Sequence, residues 1–257
     1  MIGNSHIDPV WMWRWQEGFQ EIKATFRSVL DRMKEYEAFI FTGSSASFYE
    51  WVEENDPAMF EEIKERVKEG RWIIVGGWWI QPDCNAPAGE SYVRQGLYGQ
   101  KYFEEKFGVK AVCGYNVDSF GHNGNLPQIL KKSGMDYYVF MRPGRHEKGV
   151  DGETFLWKSA DGSQVKAFRI PFEYCTWPEE IEEHVKRCAG EIKNPGNGIM
   201  CFYGVGNHGG GPTKKNIESI LGMNKREDMP ELIFASPVDY FKDVEQSGRV
   251  LPVVTGE

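Results

Sequence analysis

The chain has 257 residues, 40% of them hydrophobic, and a net charge of −8, so it can bury one large core or two smaller ones. The acidic balance argues against nucleic acid or an anionic membrane as the main partner, and no apolar run is long enough to span a bilayer. Five scattered cysteines without a C-x-x-C pair favour a reducing compartment. Because the first residues also lack a signal-peptide pattern, we expect a cytoplasmic protein.

Hydrophobic spacing predicts strands and helices that alternate along the chain. Strands are predicted at residues 2–5, 38–42, 72–75, 111–117, 137–141, 155–158, 165–170, 199–203, 232–235 and 250–254. Helices are predicted from residues 19, 48 and 57 onward and at 90–107, 126–133, 179–188, 214–223 and 237–246. Asp56-Pro57 supplies a helix cap followed by a proline at the first helical position, and Asp161-Gly162 predicts a hairpin turn.

This element order predicts the fold class. Strands without polar alternation, each followed by a helix, indicate a mostly parallel sheet with helices outside it. About seven of these ten strands are followed by a helix, which favours an irregular seven-stranded parallel β/α barrel over a doubly wound sheet. Without an internal repeat or linker, we expect residues 1–257 to form a single domain, cut at both ends.

Residues suited to chemistry lie where predicted strands end, which is where parallel barrels place their functional groups. His6 and Asp8 follow the first strand, and their spacing of two sends both side chains to one face of an extended backbone. Asp118 follows the strand at 111–117, and His208 lies in the glycine-rich loop after the strand at 199–203. Alone, Asp118 is better explained as a helix cap or turn residue, and the glycines near His208 give only a weak indication of phosphate binding.

Taken together, His6, Asp8, Asp118 and His208 suit a divalent cation. Two imidazoles and two carboxylates are ligands that Zn²⁺ accepts while it keeps open positions, and Mn²⁺ or Co²⁺ would accept them too. His122 is the rival ligand, although we expect it to be structural. His146 and His184 are expected at the surface, the first in a charged loop and the second in a Glu-rich helix.

Several motifs in one order resemble the N-terminal catalytic domain of glycoside hydrolase family 38, the α-mannosidases, in its shorter bacterial or cytosolic-type branch. These motifs are residues 5–11 (SHIDPVW), 76–79 (GGWW) with 82–85 (PDCN), 89–91 (GES) with Arg94-Gln95, 118–122 (DSFGH) with 125–128 (NLPQ), and 207–213 (NHGGGPT). The resemblance covers the whole chain. It implies the family's irregular seven-stranded barrel and hydrolysis of mannose-containing oligosaccharides or glycosides.

The resemblance also implies roles for individual residues. His6, Asp8, Asp118 and His208 would bind one Zn²⁺, and Asp118 would also be the nucleophile of a retaining reaction. Five residues would contact or surround the sugar: Trp11, Phe120, Arg142, Tyr174 and Asp83. The family's acid/base aspartate falls in a segment that is shorter here, so Glu173 and Asp83 are the candidates for that role.

The chain departs from the family in two places. Gly209 replaces an aspartate that follows the metal histidine in some members, and the chain ends before the family's helical-bundle and β-sandwich domains. We therefore expect a truncated domain that binds metal and hydrolyses poorly, with homo-oligomerisation a property of the full-length protein. The alternatives are a metal-dependent polysaccharide deacetylase and a domain that binds metal and sugar without turnover.

Overall fold

The computed structural model describes residues 1–150, 152–194, 196–206 and 208–256. The strands are β1 (Ile2–Asn4), β2 (Phe41–Gly43), β3 (Trp72–Ile74), β4 (Cys113–Asn116), β5 (Tyr137–Phe140), β6 (Thr154–Lys158), β7 (Gln164–Arg169), β8 (Phe202–Tyr203) and β9 (Val253–Thr255). The helices are α1 (Trp15–Glu35), α2 (Ala46–Asn55), α3 (Pro57–Lys68), α4 (Gly89–Phe107), α5 (Leu126–Lys132), α6 (Ile181–Gly190), α7 (Lys214–Met223) and α8 (Pro237–Gln246).

The helix predictions are confirmed, with ends that shift by a few residues. Helix α3 begins as its sequence predicts, because the Asp56 side chain accepts a hydrogen bond from Met59 N at 3.2 Å and Pro57 takes the first helical position. The predicted strand at 232–235 is wrong. Its backbone makes two hydrogen bonds to Met1, through Ile233 O and Ala235 N, which are too few to form a strand.

The described residues divide into two compact units. Unit 1 comprises Met1–Gly43, Trp51–Ile73 and Glu173–Ser236, and it contains the sheet of order β3-β2-β1-β8. Strand β1 runs parallel to both β2 and β8, with Gly3 opposite Phe41 and Ile2 opposite Phe202. A β-carbon at Gly3 would lie 2.7 Å from the Ile40 carbonyl oxygen, so only glycine allows this close approach of the backbones.

Unit 2 comprises Ser44–Glu50, Ile74–Phe172 and Pro237–Glu257, and it contains the sheet of order β4-β5-β7-β6-β9. Strands β4, β5 and β7 are parallel, whereas β6 and β7 form the predicted antiparallel hairpin. Its core joins aromatic and aliphatic side chains from the strands and helices, including Trp78, Tyr138 and Leu130, all buried.

The α/β class with parallel strand pairing is confirmed, but the seven-stranded barrel is not. The described strands form one sheet of four and one of five, without a closed barrel. A closed barrel needs an unbroken ladder of strands, and here the antiparallel hairpin is followed by β9, which pairs with β6 alone.

The single domain over residues 1–257 stays a prediction. In the part of the chain that the structure describes, no helix combines the length and apolarity that crossing a membrane requires.

Candidate active site

The loop after β1 brings two of the predicted metal ligands together in unit 1. His6 Nε2 lies 3.2 Å from Asp8 Oδ1, with the His6 side chain nearly buried and that of Asp8 one-third exposed. The ring of Tyr174 packs edge-on against the His6 imidazole at a centroid distance of 5.4 Å. Asn4 Nδ2 in turn donates to Tyr174 O at 2.7 Å. Tyr174 is thus buried against His6, and its predicted contact with the sugar stays a prediction.

His208 lies in the same unit but has other partners. Its Nε2 is 3.3 Å from Glu17 Oε1, and its ring stacks on Trp13 at a centroid distance of 4.0 Å. Its loop nevertheless runs beside His6: a β-carbon at Gly206 would lie 3.5 Å from His6 O. Asn207, which belongs to the same motif, lies outside the described residues.

The unit 1 side chains fit a divalent cation in part. The imidazole nitrogen of His6 and the carboxylate oxygen of Asp8 are donors that Zn²⁺ accepts, and their separation of 3.2 Å allows both to bind one ion. To bind the same ion, the His208 imidazole would have to give up its contact with Glu17. Within the described part of unit 1, the donor atoms of these three residues do not all lie within 4.8 Å of one another.

An exposed aromatic surface extends from this loop. The Trp11 side chain is 64% exposed and meets Trp13 edge-on at 5.5 Å, while Trp13 stacks on His208. A sugar-stacking platform needs a flat ring that is open to solvent and held by its neighbours. Trp11 meets both requirements.

In unit 2, Asp118 lies two residues past the end of β4 and pairs with Arg142. The Asp118 Oδ1 and Arg142 Nη1 atoms are 3.2 Å apart. Strand register explains this contact: Asn116 is opposite Phe140 in the parallel ladder, and each member of the ion pair lies two residues further along. The Arg142 guanidinium carbon also lies 4.6 Å from the centre of the Phe120 ring. Three predicted site residues therefore meet at this end of β4 and β5.

His122 holds the backbone of that arginine. Its Nε2 donates to Arg142 O at 2.6 Å, and its Nδ1 accepts from the Tyr138 hydroxyl at 3.0 Å. The Arg142 carbonyl can only accept, so Nε2 carries a proton, and in the neutral ring Nδ1 is then free to accept from the Tyr138 hydroxyl. Burial lowers the pKa of His122 from 6.5 to about 4. His122 is therefore a neutral structural residue, as expected from the sequence.

The two acid/base candidates lie in different surroundings. Asp83 is exposed, and its Oδ1 accepts hydrogen bonds from Asn85 N at 2.8 Å and Ala86 N at 2.7 Å, which makes it a turn residue. Asn85 Nδ2 donates to Phe120 O at 2.8 Å, so this turn lies beside the Asp118 segment. Glu173 is exposed in unit 1. The acid/base residue stays unassigned.

Sequence reasoning missed two residues that support the site. Glu17, the partner of His208, lies in the first turn of α1, where acidic residues are common because they offset the helix dipole. Tyr138 is fully buried in β5 and its sequence context is that of an ordinary apolar strand. In neither case did the local sequence signal a function.

His146 is exposed as expected, whereas His184 is buried and that expectation is wrong.

The chain is similar over its whole length to known proteins. The model of the family described as "Glycosyl hydrolases family 38 N-terminal domain" matches residues 1–257. Alpha-mannosidase G of Dictyostelium discoideum is 33% identical over 258 residues, covering 100% of this chain and 24% of that protein. An alpha-mannosidase of Saccharomyces cerevisiae is 32% identical over 270 residues, covering 100% of this chain and 25% of that protein. The chain thus spans about a quarter of the length of these relatives.

A solved structure shows the same fold. The crystal structure of an alpha-mannosidase from Enterococcus faecalis V583 superposes with a TM-score of 0.83 at 22% sequence identity. The superposition covers 99% of this chain and 30% of that one.

Proposed function

Because the chain belongs to glycosyl hydrolases family 38, whose N-terminal domain matches residues 1–257, we propose that it is the catalytic domain of a metal-dependent, retaining α-mannosidase. The observation that carries this proposal is the arrangement at the end of β4. There a carboxylate, Asp118, is held by Arg142 beside the exposed ring of Phe120. A retaining glycosidase needs such a fixed carboxylate as its nucleophile.

Asp118 is the proposed nucleophile. Its carboxylate would attack the anomeric carbon of a terminal mannose as the glycosidic C–O bond breaks and the leaving alcohol takes a proton from the unassigned acid/base group; water then hydrolyses the resulting glycosyl ester with retention of configuration. Arg142 would keep the carboxylate in one orientation, and positioning of this kind makes a large contribution to rate. Phe120, 64% exposed, would provide an apolar face for the C–H side of the sugar ring, and the sequence motif alone assigns a sugar-stacking role to Trp11.

His6, Asp8 and His208 are the proposed metal ligands of unit 1, with Zn²⁺ as the favoured ion. The contact between His6 and Asp8 and the course of the His208 loop beside His6 support them. The assignment of Asp118 as a further ligand comes from the sequence motifs alone. A bound divalent ion would supply Lewis-acid binding of adjacent sugar hydroxyls. Tyr174 and Asn4 would keep the His6 ring in place.

The proposed substrate is a mannose-containing oligosaccharide or glycoside with a terminal α-mannosyl residue. The relatives named alpha-mannosidase support this class. A cytoplasmic location and a homo-oligomeric full-length protein stay predictions.

The test combines metal removal with ligand variants. Chelation should abolish hydrolysis of an aryl α-mannoside, and Zn²⁺, Mn²⁺ or Co²⁺ should restore it. His6→Gln and Asp8→Asn should each lower the affinity for the active-site ion and the activity at least about 10- to 100-fold. His146→Gln is the matched control, because His146 is exposed and lies outside the proposed site. Full activity after complete metal removal would refute the metal assignment, and retained activity in both ligand variants would refute the ligands.

A further inference from the structure

Unit 1 contains a second group of metal-ligand side chains, away from the motifs that carry the proposed reaction. His184, Cys188 and Cys201 form this His/Cys cluster. All three are buried, with exposed fractions of 4%, 2% and 5%, and their ligand atoms lie within 4.8 Å of one another. Among the described residues, no other group of three His, Cys, Asp or Glu side chains comes so close together.

Two elements build the cluster. His184 and Cys188 are four residues apart on α6 and therefore lie on one face of the helix, together with the buried Ile181 and Val185. This apolar stripe explains why His184 is buried. Cys201 directly precedes β8, and its carbonyl oxygen accepts a hydrogen bond from Ile2 N at 2.8 Å. The third ligand is thus anchored to the sheet of unit 1.

The distances suit a metal ion with little movement of the side chains. Cys188 Sγ lies 3.7 Å from His184 Nε2. In a tetrahedral zinc site, a sulfur and a nitrogen ligand are about 3.5 Å apart and two sulfur ligands about 3.8 Å apart, given the usual bond lengths. We propose that His184, Cys188 and Cys201 bind one Zn²⁺ ion as a structural site of unit 1.

Charge balance favours a divalent ion over a monovalent one. Two thiolates and a neutral imidazole carry a charge of about −2, which Zn²⁺ neutralises, so the occupied site can be buried without a net charge. The ion displaces one proton from each thiol, and both protons leave to solvent. Three protein ligands leave the fourth position to a water molecule or a backbone group.

Two other interpretations of the cluster are weaker. Cysteine is often buried as a small apolar residue, but simple packing does not require two thiols and an imidazole to meet. A redox-active cysteine pair needs a reactive thiolate. Cys188 and Cys201 are both buried, so oxidants in solvent reach the pair poorly.

Cobalt provides the test, because Co²⁺ replaces Zn²⁺ and is visible by absorption. The metal-free chain, kept reduced by a phosphine, is titrated with CoCl₂ and followed in the near ultraviolet. We expect a thiolate-to-cobalt charge-transfer band that saturates at the absorption of one thiolate-bound cobalt ion per chain and disappears when Zn²⁺ is added. His6, Asp8, Asp118 and His208 contain no sulfur and cannot produce this band. The result is therefore independent of mannosidase activity.

Variants locate the site. Cys188→Ser and Cys201→Ser should each remove the band and lower bound zinc by one ion per chain. Cys113→Ser, which changes a fully buried thiol of unit 2, should leave both unchanged. The wild-type titration remains decisive if a variant fails to fold. The absence of a band from wild-type protein with five free thiols, or a disulfide between Cys188 and Cys201 without metal uptake, would overturn the proposal.

Discussion

Replacement of His122 by glutamine should change how the stability of the protein depends on pH. His122 is 6% exposed and neutral, with partners on both ring nitrogens. Glutamine can keep one donor and one acceptor near these positions, but it does not titrate. The substitution therefore isolates the protonation of one buried side chain.

The magnitude follows from the lowered pKa. In the unfolded chain His122 binds a proton as the pH falls below about 6.5, whereas in the folded chain it stays neutral until about pH 4. Over that window the unfolded state binds more protons, so the folded state loses stability as the pH falls. Between about pH 7 and about pH 4.5 the loss from this residue amounts to about 2 kcal/mol.

Urea unfolding followed by circular dichroism at both pH values measures this effect. The free energy of unfolding of the wild type should fall by about 2 kcal/mol more than that of His122→Gln between the two pH values. His146→Gln, which changes an exposed histidine, should fall as the wild type does. Equal falls for the wild type and His122→Gln would refute the view that His122 is kept neutral by burial.

Three further predictions concern the proposed site and the scaffold. Arg142→Met should lower kcat about 100-fold by releasing Asp118, yet change unfolding by less than about 1 kcal/mol because the ion pair is partly exposed; an unchanged kcat would contradict the positioning role. Trp11→Ala should raise KM about 5- to 10-fold at constant melting temperature, and an unchanged KM would exclude Trp11 as a sugar platform. Asp56→Ala should destabilise the protein by about 1 kcal/mol through loss of the cap on Met59 N, whereas Asp56→Ser should restore most of this; equal losses in urea unfolding would exclude the cap.

Local features of the fold could be predicted because their signals lie within a few residues. Asp56-Pro57 caps α3 and Asp161-Gly162 turns the β6–β7 hairpin, as expected. Whether the strands close into a barrel could not be predicted, because closure depends on pairing between strands that are distant in the sequence. The segment at 232–235 has the composition of a strand, but its backbone bonds to Met1 and to the Asn224 side chain instead of forming a ladder.

The candidate site was predictable where sequence spacing or strand register decides the contacts. His6 and Asp8 are neighbours in the chain, and Asp118 meets Arg142 because β4 and β5 are parallel and adjacent. The partner of His208 was not predictable, since Glu17 reaches it from a helix far away in the sequence. The burial of His184 was missed because the glutamates of its helix concealed the apolar stripe.

Covalent trapping tests the central claim, that Asp118 is the nucleophile of an α-mannosidase, most directly. The protein is incubated with a fluorinated α-mannosyl fluoride, which slows breakdown of the glycosyl ester, and the labelled peptide is identified by mass spectrometry. Asp118→Asn and His146→Gln serve as the negative and positive controls. We expect one fluoromannosyl group per chain on Asp118, present in His146→Gln and absent from Asp118→Asn. A label on another carboxylate would contradict the account. So would an active enzyme that is never labelled, which is the result expected of a deacetylase.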